Sequence, residues 1–585
     1  MNRKLAVFSL FVVRRYSKLS YFHNPSSEPL RALTFGQLID SAAAKWQDRK
    51  AIVFARENRE LTFAEARMQA QKLGAGLLKL GMKPGDRIAT FGGNTFHWYV
   101  TALAAAKTGL ILTGLNPNYQ KDELLFTLQK VGVKAIVADE EYKSTNFYDL
   151  LTAVVPELSV SPVSSSLSSK SLPNLKYVIL ASEKHLPGSF RFEDLLNSTD
   201  STKEVDEIDK NLQPDHPLNI QFTSGTTGTP KAALLSSFGI VNNAHFFGKR
   251  CGFHKHEHAT LCIQVPFFHV FGYALAIVCA MSHGNALVIT GPSFNKNDTI
   301  KALMKHKCTA IYGTPTMYVD VCAAINEELK KENEDLKASL MNFNVIVSGG
   351  ALCSPQLFTA ISHTFNCTNL QSAYGMSEMS PIVFTNTSKD TFDQRTTTVG
   401  CVADHQEVKV VDGEGKMVPF GTPGEAWFRS YSKMLGYWDD EERTKEIITS
   451  CGWLKSGDQL ILTEQGYGTI VGRLKEQINR GGEKIMPSEI EKILETHPKI
   501  QEVHVHAVSD YRMGEEICAC IKTTKGAALS EDDVKAFCKD KLSRFKIPRY
   551  VRFVEEFPKT GSGKIKKFEL RRTAEEELKN QSKQQ

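Results

Sequence analysis

Short apolar stretches alternate with longer amphipathic segments from about residue 33 to residue 411. Residues 62–65 form a capping box, which predicts a helix that ends near residue 81. Residues 87–91 are apolar and follow a Lys-Pro-Gly-Asp turn, which predicts a strand. The same pattern predicts helices over residues 95–107 and 121–130 and strands over residues 110–113 and 133–138. Such alternation is typical of a sheet covered by helices on both faces.

The pattern changes after residue 473. Ser488 and Glu491 indicate the cap of a new helix, and a second helix is predicted over residues 532–542. Strands are predicted over residues 503–508, 517–522 and 550–554. The predicted fold class is therefore α/β, with a large N-terminal domain of sheets covered by helices and a small α+β C-terminal domain.

Two other segments stand out. Residues 271–281 are nearly all apolar but fall short of the roughly 18 residues that a membrane-spanning helix needs, so we expect a buried element and no transmembrane segment. Residues 159–173, SVSPVSSSLSSKSLP, are of low complexity and predict a surface loop without a role in packing.

The N-terminus carries most of the excess charge. The net charge of the 585 residues is +6, and removing the five cations that precede Glu28 leaves +1, which argues against nucleic acid as the main partner. Those cations are Arg3, Lys4, Arg14, Arg15 and Lys18. This basic, acid-free segment predicts a mitochondrial transit peptide over residues 1–27, with a signal anchor or an uncleaved basic tip as the alternatives.

The 12 cysteines include no CxxC pair, which indicates a reducing compartment. Cys518 and Cys520 are separated by one residue. This spacing fits one face of a strand better than a metal knuckle.

Candidate chemistry begins with the stretch IQFTSGTTGTPKAALLSS at residues 220–237. Clustered hydroxyls, glycines and a lysine predict a loop that holds an anion, and a triphosphate is the natural guest. The loop is not a Walker A motif, because Gly225 and Gly228 are three apart and Pro230 precedes Lys231. A polar turn between strands is the alternative. A second basic, glycine-containing loop, PKTGSGKI at residues 558–565, lies in the other predicted lobe and indicates a site built between domains.

Six motifs in order resemble those of the adenylate-forming superfamily, which includes acyl-CoA synthetases, luciferases and peptide-synthetase adenylation domains. They are TSGTTGTPK (223–231), PFFHVFG (266–272), YGMSE (374–378), WLKSGD (453–458), GRLKEQINRGGEKI (472–485) and PKTGSGKI (558–565). The resemblance covers nearly the whole chain after the N-terminal tip. Within the superfamily the chain is most similar to the mitochondrial medium-chain acyl-CoA synthetases, through LNIQFTSGTTG, YGTPTM and DYRMGEEICACIK.

This resemblance implies an N-terminal adenylation domain over residues 28–472, a hinge at 473–476, a C-terminal α+β domain over 477–575 and a tail over 576–585. The implied activity is ATP-dependent ligation of a fatty acid, of medium chain length in that branch, to CoA through an acyl-adenylate, with release of AMP and pyrophosphate. ATP, Mg²⁺ and CoA are the implied small molecules, and the mitochondrial matrix is the implied location. The alternatives are another acyl acceptor, another class of carboxylic acid, or a nucleotide-binding protein that has lost catalysis.

The resemblance also implies residue roles. Glu378 would hold Mg²⁺, and Lys564, Glu378 and His269 would act in catalysis, although His269 could instead be a packed core residue. The implied ATP-binding residues are Thr223, Ser224, Gly225, Thr226, Thr227, Gly228, Thr229, Pro230, Lys231, Tyr374, Ser377, Asp458, Arg473 and Lys564.

Other implied positions concern movement and shape. Lys475 would be the hinge, and the loop from Arg480 to Glu483 would swing in to complete a thiol tunnel. Residues 349–351 would form a wall beside the adenine or the acyl group. Ala232 stands where glycine is usual, and a positive φ there would be costly. No departure from the family pattern removes a catalytic group, so an active enzyme is expected.

Overall fold

A computed structural model gives the fold. It describes residues 19–199, 201–223, 230–255, 258–351, 353–473, 477–524, 526–558, 565 and 567–582. We call the described residues up to 473 the N-lobe and those from 477 the C-lobe.

The first large sheet of the N-lobe contains eight strands among the described residues and is mostly parallel. In spatial order its strands are Ser189–Arg191, Tyr177–Ala181, Ala135–Asp139, Arg87–Phe91, Ile111–Leu115, Pro217–Thr223, Lys231–Ser236 and Gly436–Tyr437. Every residue of Ile111–Leu115 is buried, as expected for a strand covered on both faces.

The second large sheet has nine strands in the part of the chain that the structure describes. In spatial order they are Cys401–Val402, Ile382–Thr385, Leu370–Gly375, Val345–Gly349, Ala310–Gly313, Thr260–Ile263, Ala286–Ile289, Lys50–Phe54 and Arg59–Thr62. Its inner strands are parallel, and the strands at the two ends run antiparallel.

Helices cover both sheets, as the alternating pattern predicted. The helix Phe63–Lys79 begins with the predicted capping box, in which Thr62 and Glu65 each bond to the other's backbone N–H. The other α-helices described in the N-lobe are Phe35–Lys45, Phe96–Thr108, Lys121–Val131, Phe147–Val154, Phe192–Leu196, Lys203–Asn211, Ser237–Cys251, Cys279–His283, Lys296–His306, Pro315–Leu329, Glu334–Leu340, Pro355–Thr364, Phe392–Thr397 and Glu441–Ile447.

The apolar run is a buried element, as predicted. Phe271–Val278 forms a π-helix in which every residue is buried, and it continues into the helix Cys279–His283. Its residues belong to the largest hydrophobic cluster, together with those of Phe96–Thr108 and Ser237–Cys251. Among the described helices, none combines the length and the apolar character needed to cross a bilayer.

A smaller sheet completes the N-lobe. Its five described strands are Tyr21–Asn24, Gln406–Val411, Gly424–Ser430, Leu454–Leu462 and Gly468–Arg473. Tyr21–Asn24 pairs antiparallel with Gln406–Lys409, although it lies inside the segment predicted to be a transit peptide. Cleavage after residue 27 would therefore remove a strand of this sheet. The boundary stays a prediction.

The expectation that residues 159–173 have no role in packing is wrong at two positions. Leu167 and Leu172 are buried in a hydrophobic cluster with Leu158 and Leu175, which flank the segment. Most of the intervening serines remain partly or fully exposed. The burial of these two leucines therefore packs the low-complexity loop against the N-lobe.

The C-lobe is a second α+β unit with its own core. Its sheet contains Glu483–Ile485, Ile478–Arg480, Gly514–Thr523, Ile500–Asp510 and Tyr550–Phe553, and its helices are Pro487–Glu495, Glu531–Lys539 and Lys567–Ser582. The first helix starts at Pro487, with Met486 as its N-cap, so the predicted cap at Ser488 is wrong. Proline favours the first helical position because its missing N–H has no partner there anyway.

Candidate functional site

The predicted anion loop and the YGMSE motif lie close together, each where a strand ends. Thr223 ends one strand of the eight-stranded sheet and pairs in register with Lys231, where the next strand begins. The residues between them, Ser224–Thr229, lie outside the described residues. Ser377 begins a short 3₁₀ turn that follows the strand Leu370–Gly375. Ligands of open α/β sheets bind at such strand ends.

Glu378 is the centre of a buried polar cluster. Its side chain is only 6% exposed. Its Oε1 accepts hydrogen bonds from the Tyr437 hydroxyl at 2.9 Å and from Thr223 Oγ1 at 3.4 Å. Lys231 Nζ lies 3.4 Å from the Tyr437 hydroxyl and 5.0 Å from the centre of that ring. One carboxylate, two hydroxyls and one ammonium thus converge at the base of the anion loop.

Tyr437 was not among the predicted site residues. It lies 59 positions after Glu378 and reaches it because its short strand pairs with Lys231–Ser236. Burial, together with the Glu378 carboxylate, raises the pKa of Tyr437, so its hydroxyl stays protonated and donates. The only signal in the sequence is an aromatic pair after a glycine, which is too common to identify the residue.

A second polar pair lies along the same motif. The Tyr374 hydroxyl donates to Asp458 Oδ2 at 2.7 Å, and Asp458 is only 5% exposed. Ser456 shapes the turn before Asp458, because its hydroxyl accepts from the Asp458 N–H and donates to the Ala426 carbonyl. Asp458 pairs across the sheet with Arg473, whose side chain lies outside the described residues. The structure therefore joins the YGMSE motif to the WLKSGD motif through this hydrogen bond.

His269 belongs to the N-lobe and is partly buried. Its Nδ1 accepts from the Phe271 N–H at 3.2 Å. Burial and the nearby Lys484 ammonium lower the pKa of His269 to about 4. The imidazole is therefore neutral at physiological pH, with its proton on Nε2.

The hairpin formed by Ile478–Arg480 and Glu483–Ile485 contacts the N-lobe. Lys484 Nζ and Asn479 Nδ2 both donate to the Gly350 carbonyl, at 2.8 and 3.2 Å. Gly482 has φ +100°, and a Cβ on it would lie 3.1 Å from Thr314 Cγ2. Both the backbone angle and the close approach require glycine at this position.

Side chains of the same hairpin have different roles. Asn116 Nδ2 of the N-lobe lies 3.5 Å from Glu483 Oε1, and burial raises the pKa of Glu483. Arg480 instead pairs within the C-lobe with the buried Glu516, at 2.6 Å. Arg480 thus holds the hairpin on its own lobe, while Glu483 and Lys484 face the other lobe.

A second contact between the lobes is a buried ion cluster. Lys546 Nζ lies 2.6 Å from Oε1 of Glu123 in the N-lobe and 2.6 Å from Oε1 of Glu489 in its own lobe. Ser543 donates to the other oxygen of Glu123 at 2.5 Å. Burial alone would lower the pKa of Lys546, but the two carboxylates raise it. We call Glu123, Glu489, Ser543 and Lys546 the interlobe cluster.

The predicted wall is close-packed on its N-lobe side. Gly349 ends the strand Val345–Gly349, and a Cβ on it would lie 3.1 Å from Phe271 Cε1 and from Ala373 Cβ. Phe271 in turn stacks on Tyr312, with ring centres 5.9 Å apart. Aromatic rings therefore border this side of the site.

Ala232 causes no strain. It lies in the strand Lys231–Ser236, pairs with Phe222 and is fully buried. An extended residue does not need positive φ, so the predicted cost does not arise. Two other predicted residues, Lys475 and Lys564, lie outside the described residues.

Comparison with known proteins identifies the family. The model described as AMP-binding enzyme matches residues 39–438, and that of the AMP-binding enzyme C-terminal domain matches residues 489–564. The mitochondrial medium-chain acyl-CoA ligase ACSF2 of Danio rerio is 39% identical over 562 residues, which cover 96% of this chain and 91% of that protein. The Homo sapiens ACSF2 protein is 38% identical over 566 residues, covering 96% and 90%.

Solved structures share the fold. The amide bond synthetase McbA from Marinactinospora thermotolerans superposes with a TM-score of 0.76 at 24% identity, covering 92% of this chain and 99% of that one. ATP-bound MatB from Rhodopseudomonas palustris gives a TM-score of 0.64 at 23% identity, covering 93% and 99%. Because one family model spans residues 39–438 and close relatives align over nearly the whole length, this chain belongs to the AMP-binding enzyme family.

Proposed function

We propose that this enzyme joins a medium-chain fatty acid to CoA in the mitochondrial matrix, in two steps. ATP first converts the carboxylate to an acyl-adenylate with release of pyrophosphate, and the CoA thiol then displaces AMP. The observation that carries the proposal is the buried Glu378 cluster beside the anion loop, joined through the YGMSE motif to the Tyr374–Asp458 pair. The relatives are named as mitochondrial medium-chain acyl-CoA ligases, which supports the length of the fatty acid and the organelle, and the matrix is part of our proposal.

The first step brings two anions together, so the site must supply positive charge and fix geometry. Lys231 and the loop 224–229 would bind the β- and γ-phosphates, with Ser377 as a further phosphate contact. Lys564 would bridge the carboxylate and the α-phosphate. Ammonium groups, hydroxyls and runs of backbone N–H groups are donors of the kind that phosphate oxygens need.

Glu378 and its neighbours suit Mg²⁺, because a carboxylate and hydroxyls are hard oxygen donors. A bound Mg²⁺ would neutralise charge on the phosphate oxygens. The hydrogen bonds from Tyr437 and Thr223 to Oε1 hold the Glu378 carboxylate in one orientation, in which it could serve as a ligand. Oriented ligands of this kind bind metal more tightly than free ones.

The nucleoside would lie against the second polar pair. Asp458 would accept hydrogen bonds from the ribose hydroxyls, and Tyr374, whose hydroxyl already holds Asp458, would place its ring against adenine. Arg473, next to Asp458 in the sheet, would support the ribose or the phosphate.

The second step needs a passage for the thiol. We place it between His269 and the turn from Arg480 to Glu483. The strands on either side of this turn contact Gly350 through Asn479 and Lys484. A neutral imidazole there adds no charge to the passage. Lys475 would be the hinge about which the C-lobe turns between the two steps.

The direct test is carboxylate-dependent exchange of pyrophosphate into ATP, measured across acids of increasing length. We expect exchange to be fastest with medium-chain acids and thioester to form only when CoA is added. No exchange with any acid would remove the proposed activity. Exchange without CoA thioester would assign the chain to another acyl acceptor.

Replacing Glu378 with glutamine is expected to slow pyrophosphate exchange by about 100-fold or more and to raise the Mg²⁺ concentration needed for half-maximal rate. The amide keeps the size and one acceptor oxygen but lacks the charge. The control is Glu464→Gln, an exposed acid in a turn, which should behave as the unmodified chain. An unchanged Mg²⁺ dependence in a folded Glu378→Gln enzyme would contradict the assignment.

Because the pKa of His269 is lowered to about 4, its charge should not change between pH about 6 and about 8, and it should not shape the pH profile of the enzyme there. Asparagine at this position can still accept from the Phe271 N–H. We therefore expect His269→Asn to lower thioester formation by the same factor at pH about 6 and about 8, since no protonation of His269 occurs in that range. The exposed His363→Asn is the matched control. A decline of the unmodified enzyme below pH about 6.5 that vanishes in His269→Asn would show that the imidazole titrates.

A further inference from the structure

A buried cluster of three soft donor groups lies in the C-lobe. His506 on the strand Ile500–Asp510 is 4% exposed, and Cys518 and Cys520 on the neighbouring strand Gly514–Thr523 are fully buried. The strands are antiparallel, with His506 directly opposite Cys518 and diagonal to Cys520, which pairs with His504. The prediction that both cysteines share one face of a strand is confirmed, and the partner strand adds a histidine to that face.

The three ligand atoms converge. The imidazole nitrogen and the two sulfurs all lie within 4.8 Å of one another. His506 Nε2 is 3.4 Å from Cys520 Sγ. Zinc bonds of about 2.3 Å to sulfur and about 2.0–2.1 Å to nitrogen in tetrahedral geometry place these two atoms about 3.6 Å apart. The observed separation fits one edge of such a tetrahedron.

The orientation of the imidazole fits the same role. His506 Nδ1 lies 3.0 Å from the carbonyl of Ala507 and donates to it. The proton is therefore on Nδ1, and Nε2 directs its lone pair at Cys520. Metal-binding histidines usually donate their other ring N–H to a carbonyl or a carboxylate in this way.

The surroundings do not oppose a divalent cation. Arg552 lies beside Cys520 in the sheet, with Nη1 4.0 Å from Sγ, but it is paired with Glu577 at 2.9 and 2.5 Å. That pair carries no net charge. The apolar residues around the cluster include Leu570 and Ala574 of the last helix, which cover it.

We propose that His506, Cys518 and Cys520 bind one thiophilic divalent cation, for which Zn²⁺ is the probe. Binding replaces the two thiol protons, which pass to the solvent, and the two thiolates neutralise the charge of the cation. The cation ties the two long strands of the C-lobe together beneath the helix Lys567–Ser582. Its role is to stabilise the lobe, since the cluster belongs to a hydrophobic core separate from the residues around Glu378.

The test uses the full chain, purified after growth with added zinc and analysed for metal content. We expect about one zinc per chain, and loss of nearly all of it in Cys520→Ser and in His506→Gln. Cys538→Ser is the matched control, because Cys538 is also buried in the C-lobe but belongs to a different core cluster. It should keep its zinc.

A second measurement gives the affinity. After removal of metal with a chelator, zinc titration should show affinity at least about 100-fold weaker in Cys520→Ser than in the unmodified chain. Pyrophosphate exchange in each variant reports that it is folded, and His506→Gln decides the matter if Cys520→Ser fails to fold. The proposal is overturned if the unmodified chain contains no zinc after purification and also binds none in the titration. It is also overturned if the folded variants hold as much zinc as the Cys538→Ser control.

Discussion

Lys564→Ala is expected to slow acid-dependent pyrophosphate exchange by about 10²–10³-fold, the usual cost of losing one group that stabilises developing charge. The same variant should still convert supplied acyl-AMP and CoA to thioester at a rate near that of the unmodified enzyme. The reason is that Lys564 would act on the α-phosphate in the first step and move away before the second. Separate assays of the two half-reactions measure this difference.

The control is Lys566→Ala, two positions further along the same basic segment, which should leave both half-reactions unchanged. Equal loss of both half-reactions in Lys564→Ala would contradict the proposal that the lobes adopt a different arrangement for each step. It would indicate that the lysine stays in the site throughout the reaction.

Glu123→Gln is expected to slow thioester formation and to leave pyrophosphate exchange unchanged, which is the reverse of the result expected for Lys564→Ala. This change removes the N-lobe charge from the interlobe cluster and leaves Lys546 with Glu489 alone. A hydrogen bond to a charged group contributes about 1.5–3 kcal/mol, so the observed arrangement of the lobes should become about 10- to 150-fold less populated relative to others. Because the hairpin contacts the N-lobe in this arrangement, thioester formation from acyl-AMP should slow, while pyrophosphate exchange should not.

Asp122→Asn provides a matched control, since Asp122 is the exposed neighbour in the first turn of the same helix. It should change neither half-reaction. Glutamine can still accept the Gln120 N–H, so the helix start is preserved in Glu123→Gln. If pyrophosphate exchange, and not thioester formation, slowed in Glu123→Gln, the observed arrangement would belong to the first step.

Local rules explain which parts of the fold were predictable. The capping box at Thr62 and Glu65 and the buried run at 271–281 each depend on neighbouring residues, and both were confirmed. The cap at Ser488 failed because Pro487 fits the first helical position, which a capping pattern alone does not include. The burial of Leu167 and Leu172 was not predicted, because two apolar residues five positions apart form no periodic pattern within a serine-rich segment.

In the site, too, features that depend on neighbouring residues were predictable, and contacts between distant residues were not. The motifs of the site were predictable because each is a short stretch with its own chemistry. The contacts between them were not, because Tyr437 reaches Glu378 through strand pairing, and Lys546 reaches Glu123 across 423 positions. The donor set in the C-lobe needed the register that places His506 opposite Cys518. Only tertiary structure supplies such long-range relations.

The strand Tyr21–Asn24 has a consequence for how the protein is handled. It is the outermost strand of its sheet and covers the backbone N–H and C=O groups of Gln406–Lys409. A polypeptide shortened to begin at residue 28 would move the open edge of the sheet from this four-residue strand to the six-residue strand Gln406–Val411. Such edges template pairing with other molecules, so truncated versions would be prone to aggregate, and recombinant production should retain these residues.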